Sequence, residues 1–356
     1  MRLYNKVNKE QLKKKLQEDT RSRITISFYK YAKIGNPGLF RDHFFQLLDG
    51  VEVFGRIYVS YEGVNAQVSV LEKRWNDFQN AISQIEFLKD IRLNKAIEDN
   101  GKSFFKLTIK VREKIVADGL DDDSFDVTKK GIHVDAENFN KLAEDDNTII
   151  IDMRNHYESE VGHFQNAVTP DVETFRESLP IIEEMLQENK DKNLLMYCTG
   201  GIRCEKASAY FKHKGFNNVY QLEGGIIEYT RQAQEKGLVN KFIGKNFVFD
   251  ERLGERISDD IISKCHQCGQ PCDDHTNCAN DACHILFIQC KACAEKYEEN
   301  CSERCQEFNK LPEEERRRLK GKLEFNGTRF GKGRYKAARK NEPLDMALVQ
   351  AEEVFS

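Results

Sequence analysis

The hexapeptide Cys198-Thr199-Gly200-Gly201-Ile202-Arg203 puts a nucleophile, two glycines and a permanent cation within one loop. The apolar run Leu194-Leu195-Met196-Tyr197 before it reads as a buried strand. Glu205-Lys206-Ala207-Ser208-Ala209-Tyr210-Phe211 after it reads as the first turns of a helix. A cysteine where a strand ends and a helix begins sits in a natural anion cradle. Gly200 and Gly201 can take backbone angles closed to other residues, so successive amides can turn toward one point. The helix dipole and Arg203 add positive potential there. Together these effects should lower the Cys198 thiol pKa and leave a thiolate near neutral pH. The chemistry expected is nucleophilic: Cys198 attacks, or carries a group on sulfur, and the amides of Thr199 to Ile202 stabilise the charge. Arg203 frames the loop. The bland alternative is a buried structural cysteine beside a turn; strand, Gly-Gly, Arg and helix occurring together weigh against it. Cys204 reads as a buried first-turn thiol, with resolution of an oxidised Cys198 as its other role.

Loop length narrows the chemistry. Four residues separate Cys198 from Arg203, the six-residue ring used by rhodaneses. Cysteine phosphatases space the pair by five, which opens room for a phosphate. The shorter loop suits a thiolate or persulfide. Around it, Ile149-Ile150-Ile151-Asp152-Met153-Arg154 reads as a strand ending in Asp and Arg, and the run from Val219 through Gly224-Gly225 to Tyr229 closes the unit. Strand, helix and loop alternate here, as a parallel α/β sheet with active loops at strand C-termini requires. These stretches resemble the rhodanese domain.

A chain of 356 residues exceeds one ordinary core and suits two or three domains. The net charge of −4 predicts no global attraction to nucleic acid, so any basic site must be local. No run reaches transmembrane length, and the segment from Met1 to Lys6 lacks a signal-peptide core, so no membrane association is expected. Eleven cysteines without a signal argue for a reducing cytoplasm, where metal ligation is a better use of clustered thiols than disulfides.

Five segments follow: a ferredoxin-like (acylphosphatase-like) domain over 1–117, an acidic linker over 118–127, a rhodanese domain over 128–241, a Cys-rich region over 242–310, and a basic, partly flexible tail over 311–356. The fold class is therefore multidomain, α/β and α+β. In the first domain, strands at 24–29, 55–60, 64–70 and 104–111 and helices at 39–48 and from Trp75 give the order β-α-β-β-α-β, with Glu62-Gly63 as the hairpin turn. Phe28, Tyr29, Tyr31 and Tyr58, with Lys30, Lys33 and Arg56, form either an RNA-stacking surface or ordinary core with solvated lysines. In the Cys-rich region, Cys265-x-x-Cys268 and Cys290-x-x-Cys293 have zinc-knuckle spacing and predict one tetrathiolate site. Cys272, Cys278, Cys283, Cys301 and Cys305 offer a second, whose ligand set the spacing leaves open. From Arg316 to Lys340 the tail carries Arg316, Arg317, Arg318, Lys320, Lys322, Arg329, Lys332, Arg334, Lys336, Arg339 and Lys340 against the single acid Glu324. Interleaved with Phe325, Phe330 and Tyr335, these cations suit RNA.

The segments Ser27-Phe28-Tyr29-Lys30-Tyr31, Gly55 to Val59, Glu62-Gly63-Val64-Asn65 and 196–207, with the Cys-rich region, resemble the bacterial family of rhodanese-domain tRNA uridine hydroxylases. The resemblance implies oxygen-dependent conversion of the wobble uridine to 5-hydroxyuridine. Dioxygen is then the co-substrate, the anticodon region of tRNA the partner, and Cys198 the active-site cysteine. No two-His-one-carboxylate iron site is apparent, nor any flavin, nicotinamide or haem signature. Two alternatives stand beside this reading. One is a rhodanese sulfurtransferase carrying a persulfide on Cys198; the other is a non-enzymatic RNA-binding zinc protein or persulfide sensor. Oligomeric state leaves no signal in the sequence.

Overall fold

The computed structural model describes residues 8–120, 125–126, 128–328 and 333–344. Arg329, Phe330, Lys332 and half of the acidic linker lie outside them. Two compact units result, one built mainly from residues up to 257, the other mainly from residues beyond.

The first unit begins with helix α1 (Lys9–Glu18) and strand β1 (Arg23–Tyr31). Helix α2 (Pro37–Asp49), strands β2 (Phe54–Ser60) and β3 (Gly63–Leu71), helix α3 (Trp75–Ser83), and strands β4 (Asn94–Lys95) and β5 (Leu107–Val111) follow. The sheet order is β4-β1-β3-β2-β5. Period-two alternation sorts its two faces. Ile26, Phe28, Ile57, Val59, Ala66 and Val68 meet Phe44 and Leu48 of α2 and Phe78 and Ile82 of α3 in one core. On the opposite face, Tyr29 and Tyr58 flank Asn65 across the ladder, and Ser27 and Arg56 flank Gln67. Phe28 therefore belongs to the core and not to an RNA-stacking surface. The closing strand of the β-α-β-β-α-β pattern starts later than expected and runs parallel to β2 at the far edge. The two-residue β4 takes the place beside β1. A parallel pairing needs a long crossover, which the stretch after α3 provides.

Next come β6 (Ile132–Val134), α4 (Ala136–Ala143), β7 (Thr148–Asp152), α5 (His156–Ser159), β8 (Gly162–Phe164) and α6 (Phe175–Met185). β9 (Asn193–Tyr197), α7 (Ile202–His213), β10 (Asn218–Leu222) and α8 (Gly225–Lys236) complete the layer. The main sheet, β6-β10-β9-β7, is wholly parallel. Leu194 and Met196 of β9 pack with Leu179, Ala207 and Phe211 on one face. Leu195 and Tyr197 pack with Phe139, Ile226 and Tyr229 on the other. Burial on both faces explains the unbroken apolar run before Cys198.

The remaining strands are β11 (Phe242–Asn246), β12 (Glu255–Arg256), β13 (His275–Asn277) and β14 (Leu286–Ile288); the remaining helices are α9 (Lys291–Tyr297), α10 (Glu303–Lys310) and α11 (Glu313–Leu319). β13 and β14 form a hairpin. The core of the second unit joins Ile285, Phe287, Phe308, Leu319, Phe325 and Leu344 with four cysteines. Much of the segment read as a partly flexible tail is thus packed.

Candidate active site

Cys198 is the first residue beyond β9, and the loop to α7 wraps its sulfur. The Gly201 amide donates to Cys198 Sγ at 3.1 Å. Only Gly201 of the two glycines is left-handed, with φ +96°. Burial by itself would push the Cys198 thiol up. The Cys204 thiol, the Arg203 guanidinium and the backbone amides of Cys204 and Arg203 outweigh it and bring the thiol down to about 6. Of the expected Thr199 to Ile202 set, Gly201 donates to the sulfur, and the further donors come from Arg203 and Cys204, beyond that set. Burial and the adjacent Cys198 push the Cys204 thiol well up, so Cys204 remains protonated and serves as the donor.

Other backbone groups keep the loop in shape. Ile226 and Ile227, at the start of α8, donate their amides to the carbonyls of Cys198 and Thr199 at 3.0 and 3.3 Å. This approach requires Gly225, whose φ is +67° and where a Cβ would lie 2.4 Å from the Cys198 carbonyl oxygen. Arg203 holds Glu158 of α5 in a bidentate pair, Nη1 to Oε2 at 2.6 Å and Nη2 to Oε1 at 2.8 Å. Thr199 Oγ1 bridges the two, 3.3 Å from each. At the foot of the loop, Tyr197 donates to Asp152 at 2.7 Å, and Asp152 also pairs with the buried Arg154.

The polar face of the first sheet covers this loop. The Tyr29 hydroxyl donates to Glu205 Oε1 at 3.2 Å, and the Tyr31 hydroxyl to the Ile202 carbonyl at 3.4 Å. Lys206, on α7, pairs with Glu62 at 2.5 Å and with Asp118 at 2.8 Å, so the opening of the acidic linker is a buried anchor rather than a solvated tether. A methyl group on Gly200 would lie 3.8 Å from Asn94 Nδ2 and 3.9 Å from Ser27 Oγ. Asn94 is 5 % exposed, and its Oδ1 has no hydrogen-bond partner among the described residues. Cys198 itself is 0 % exposed.

In the second unit, Cys265, Cys268, Cys290 and Cys293 bring their sulfurs within 4.8 Å of one another. The Cys268 and Cys290 sulfurs are 3.6 Å apart, and the Cys290 amide donates to Cys265 Sγ at 3.4 Å. Four thiols with knuckle spacing and amide support fit a tetrahedral metal ion. Cys278, Cys283, Cys301 and Cys305 form a second such group; Cys272 joins neither. Several tail cations are engaged locally. Arg317 pairs with Glu313 at 2.5 Å, Arg318 with Glu315 at 3.6 Å and Arg339 with Glu324 at 3.2 Å. Lys340 donates to the Gln267 carbonyl at 2.6 Å. Arg316, Arg317 and Lys320 line one side of a cavity that also touches Asn280 and Phe308.

Residues 23–115 match the family described as UPF0176 acylphosphatase like domain, 135–232 the Rhodanese-like domain, and 243–306 the family described as Rhodanase C-terminal. A protein of Yersinia pestis (strain Pestoides F) named tRNA uridine(34) hydroxylase is 57% identical over 316 residues, which cover 88% of this chain and 89% of the relative. One of the same name from Enterobacter sp. (strain 638) is 54% identical over 333 residues, covering 93% and 95%. The chain belongs to the tRNA uridine(34) hydroxylase family. Among solved structures, the Rhodanese-like Domain Protein from Staphylococcus aureus is 25% identical over 28% of this chain and 90% of its own, with a TM-score of 0.23. Two residues around the hydroxylase-family cysteine loop, Glu158 and Asn94, carried no mark of that place in the sequence. Glu158 lies far from Cys198 in sequence, and Asn94 sits in a strand too short to show any period.

Proposed function

We propose that this chain hydroxylates C5 of uridine 34 in tRNA, with dioxygen as co-substrate and Cys198 as the catalytic nucleophile. The observation that carries the reading is the depressed Cys198 thiol in its amide cradle, within a chain more than half identical to relatives named for that reaction. Cys198 adds to C6 of the uracil, forming a C–S bond and moving the electron pair of the C5–C6 double bond onto C5 and O4 as an enolate. C5 then bonds one oxygen atom derived from dioxygen. Loss of the C5 proton and expulsion of the Cys198 thiolate restore the double bond. The second oxygen atom leaves as water, which requires two electrons from a thiol-class reductant. Gly201, Arg203 and Cys204 hold the negative charge on sulfur before addition and after expulsion. Asn94 Oδ1, which has no hydrogen-bond partner among the described residues, accepts the uracil N3–H once the sheet face admits the base.

Cys265, Cys268, Cys290 and Cys293 hold a structural zinc ion in this reading. The segment 316–340 binds tRNA phosphates near the anticodon, and the enzyme works in the cytoplasm. The test is nucleoside mass spectrometry of tRNA from cells given heavy-oxygen dioxygen. Label in 5-hydroxyuridine that vanishes with Cys198→Ala supports hydroxylation. Thiouridine lost from that variant, with hydroxyuridine intact, would assign the chain to sulfur transfer. Asn94→Ala should raise KM for tRNA more than it lowers kcat.

A further inference from the structure

Cys278, Cys283, Cys301 and Cys305 share no familiar motif, since four residues separate the first pair and three the second. The fold nonetheless brings all four sulfurs within 4.8 Å of one another. Cys283 and Cys301 are 3.7 Å apart, as are Cys301 and Cys305. A tetrahedron with Zn–S bonds of about 2.3 Å has edges of about 3.8 Å, so these separations match a tetrathiolate ion. All four residues are buried. Four buried thiols facing one point gain little from one another, because the S–H group is a weak donor. Their N–H partners are those of thiolates instead. The Cys301 amide donates to Cys278 Sγ at 3.4 Å, the Gly327 amide to Cys283 Sγ at 3.2 Å, and Asn326 Nδ2 to Cys301 Sγ at 3.6 Å.

Two of those three donors belong to the basic tail. Gly327 can approach because it lacks a side chain: a Cβ there would lie 2.6 Å from the Cys283 carbonyl oxygen. Asn326 in turn accepts the Lys336 amide at 3.0 Å, and the Glu303 amide at the start of α10 donates to the Lys340 carbonyl at 3.0 Å. Leu319, Phe325 and Leu344 pack around the same cysteines. We propose that Cys278, Cys283, Cys301 and Cys305 bind a second zinc ion, and that this ion fixes the basic tail onto the second unit. A dication held by four thiolates keeps two net negative charges, which suits a segment rich in Lys and Arg that lends it N–H donors. Each ligation releases a thiol proton, so binding and folding are linked. The proposal stands whether Cys198 hydroxylates or transfers sulfur.

Elemental analysis of the full chain, purified without added metal, should find two zinc ions per chain. Cys278→Ser and Cys301→Ser should each leave one, and so should Cys265→Ser at the other site. Trypsin cleavage within 316–340 should quicken by about tenfold or more in Cys278→Ser, because local unfolding exposes the segment. Should that variant fail to fold, a colorimetric chelator applied to the wild-type chain gives a second measurement. The site with the exposed Cys268 should release its ion first, and tail cleavage should accelerate with the second release. Zinc content unchanged in Cys278→Ser would overturn the proposal, as would iron in place of zinc, or tail cleavage indifferent to the second release. One ion in the wild type, lost from Cys278→Ser and kept in Cys265→Ser, would remove the other site and leave this one standing.

Discussion

Arg203 is the permanent cation beside the reactive sulfur, yet Glu158 takes both arms of its guanidinium. Its field still lowers the Cys198 thiol, while its position is fixed by the carboxylate. With the thiol at about 6, alkylation of Cys198 should rise through that pH and level off near neutrality, whereas a free cysteine would rise near about 8.5. Arg203→Ala and Cys204→Ala each remove an interaction that favours the thiolate, so both should move the midpoint upward in iodoacetamide titrations. Glu158→Gln leaves a buried guanidinium without its counter-charge and should cost about 3–5 kcal/mol in denaturant unfolding. At this scale the sequence was legible where residues were contiguous: Cys198, its glycines and Arg203 stood in one hexapeptide. Glu158 precedes Cys198 by two strands, a helix and several turns, and only the parallel sheet brings the two together. Cys204 was visible as a buried thiol, but its role as a donor depends on which way the first turn of α7 faces.

Among the elements, β9 and the α7 and α8 N-termini make the site, and the Gly224-Gly225 turn sets their spacing. Gly225→Ala meets both a left-handed φ and a carbonyl oxygen 2.4 Å away. Gly237 at the end of α8 is also left-handed, with φ +64°, but has nothing within 4 Å. Gly237→Ala should therefore cost only about 1–2 kcal/mol, the penalty of a left-handed conformation alone. Gly225→Ala should cost clearly more in thermal melts and should also shift the alkylation midpoint of Cys198. The hairpin at Glu62-Gly63 and the helices α2 and α3 were readable from alternation and helical spacing. β5 was readable as a strand but not as a parallel edge, because sheet order depends on crossovers that leave no periodic trace. The C-x-x-C pairs announced one metal group. A second was legible only as five candidate cysteines, and its four members stayed open because their spacings suit no knuckle and their geometry arises from β13, β14 and α10 meeting.

For the molecule as a whole, the partners of Cys198 lie entirely in the first unit. Stripping metal with a chelator should therefore melt the second unit in calorimetry while leaving the Cys198 alkylation midpoint near 6. Removing 316–340 should weaken tRNA binding and flatten the salt dependence of affinity, by about 0.7–0.9 in log–log slope for each phosphate no longer neutralised. The flattening should fall short of one phosphate per tail cation, because Arg317, Arg318 and Arg339 already face carboxylates. The sheet face over Cys198 has a consequence in time as well as in space. A thiolate without exposed surface meets a reagent only when the Tyr29 and Tyr31 cover parts from the loop. Inactivation by alkylating agents or peroxide should then stop rising with reagent concentration and level off at the opening frequency. The buried thiolate would in this way be sheltered between openings from stray oxidants in bulk solution, its lifetime set by breathing of the cover rather than by the reactivity of its sulfur.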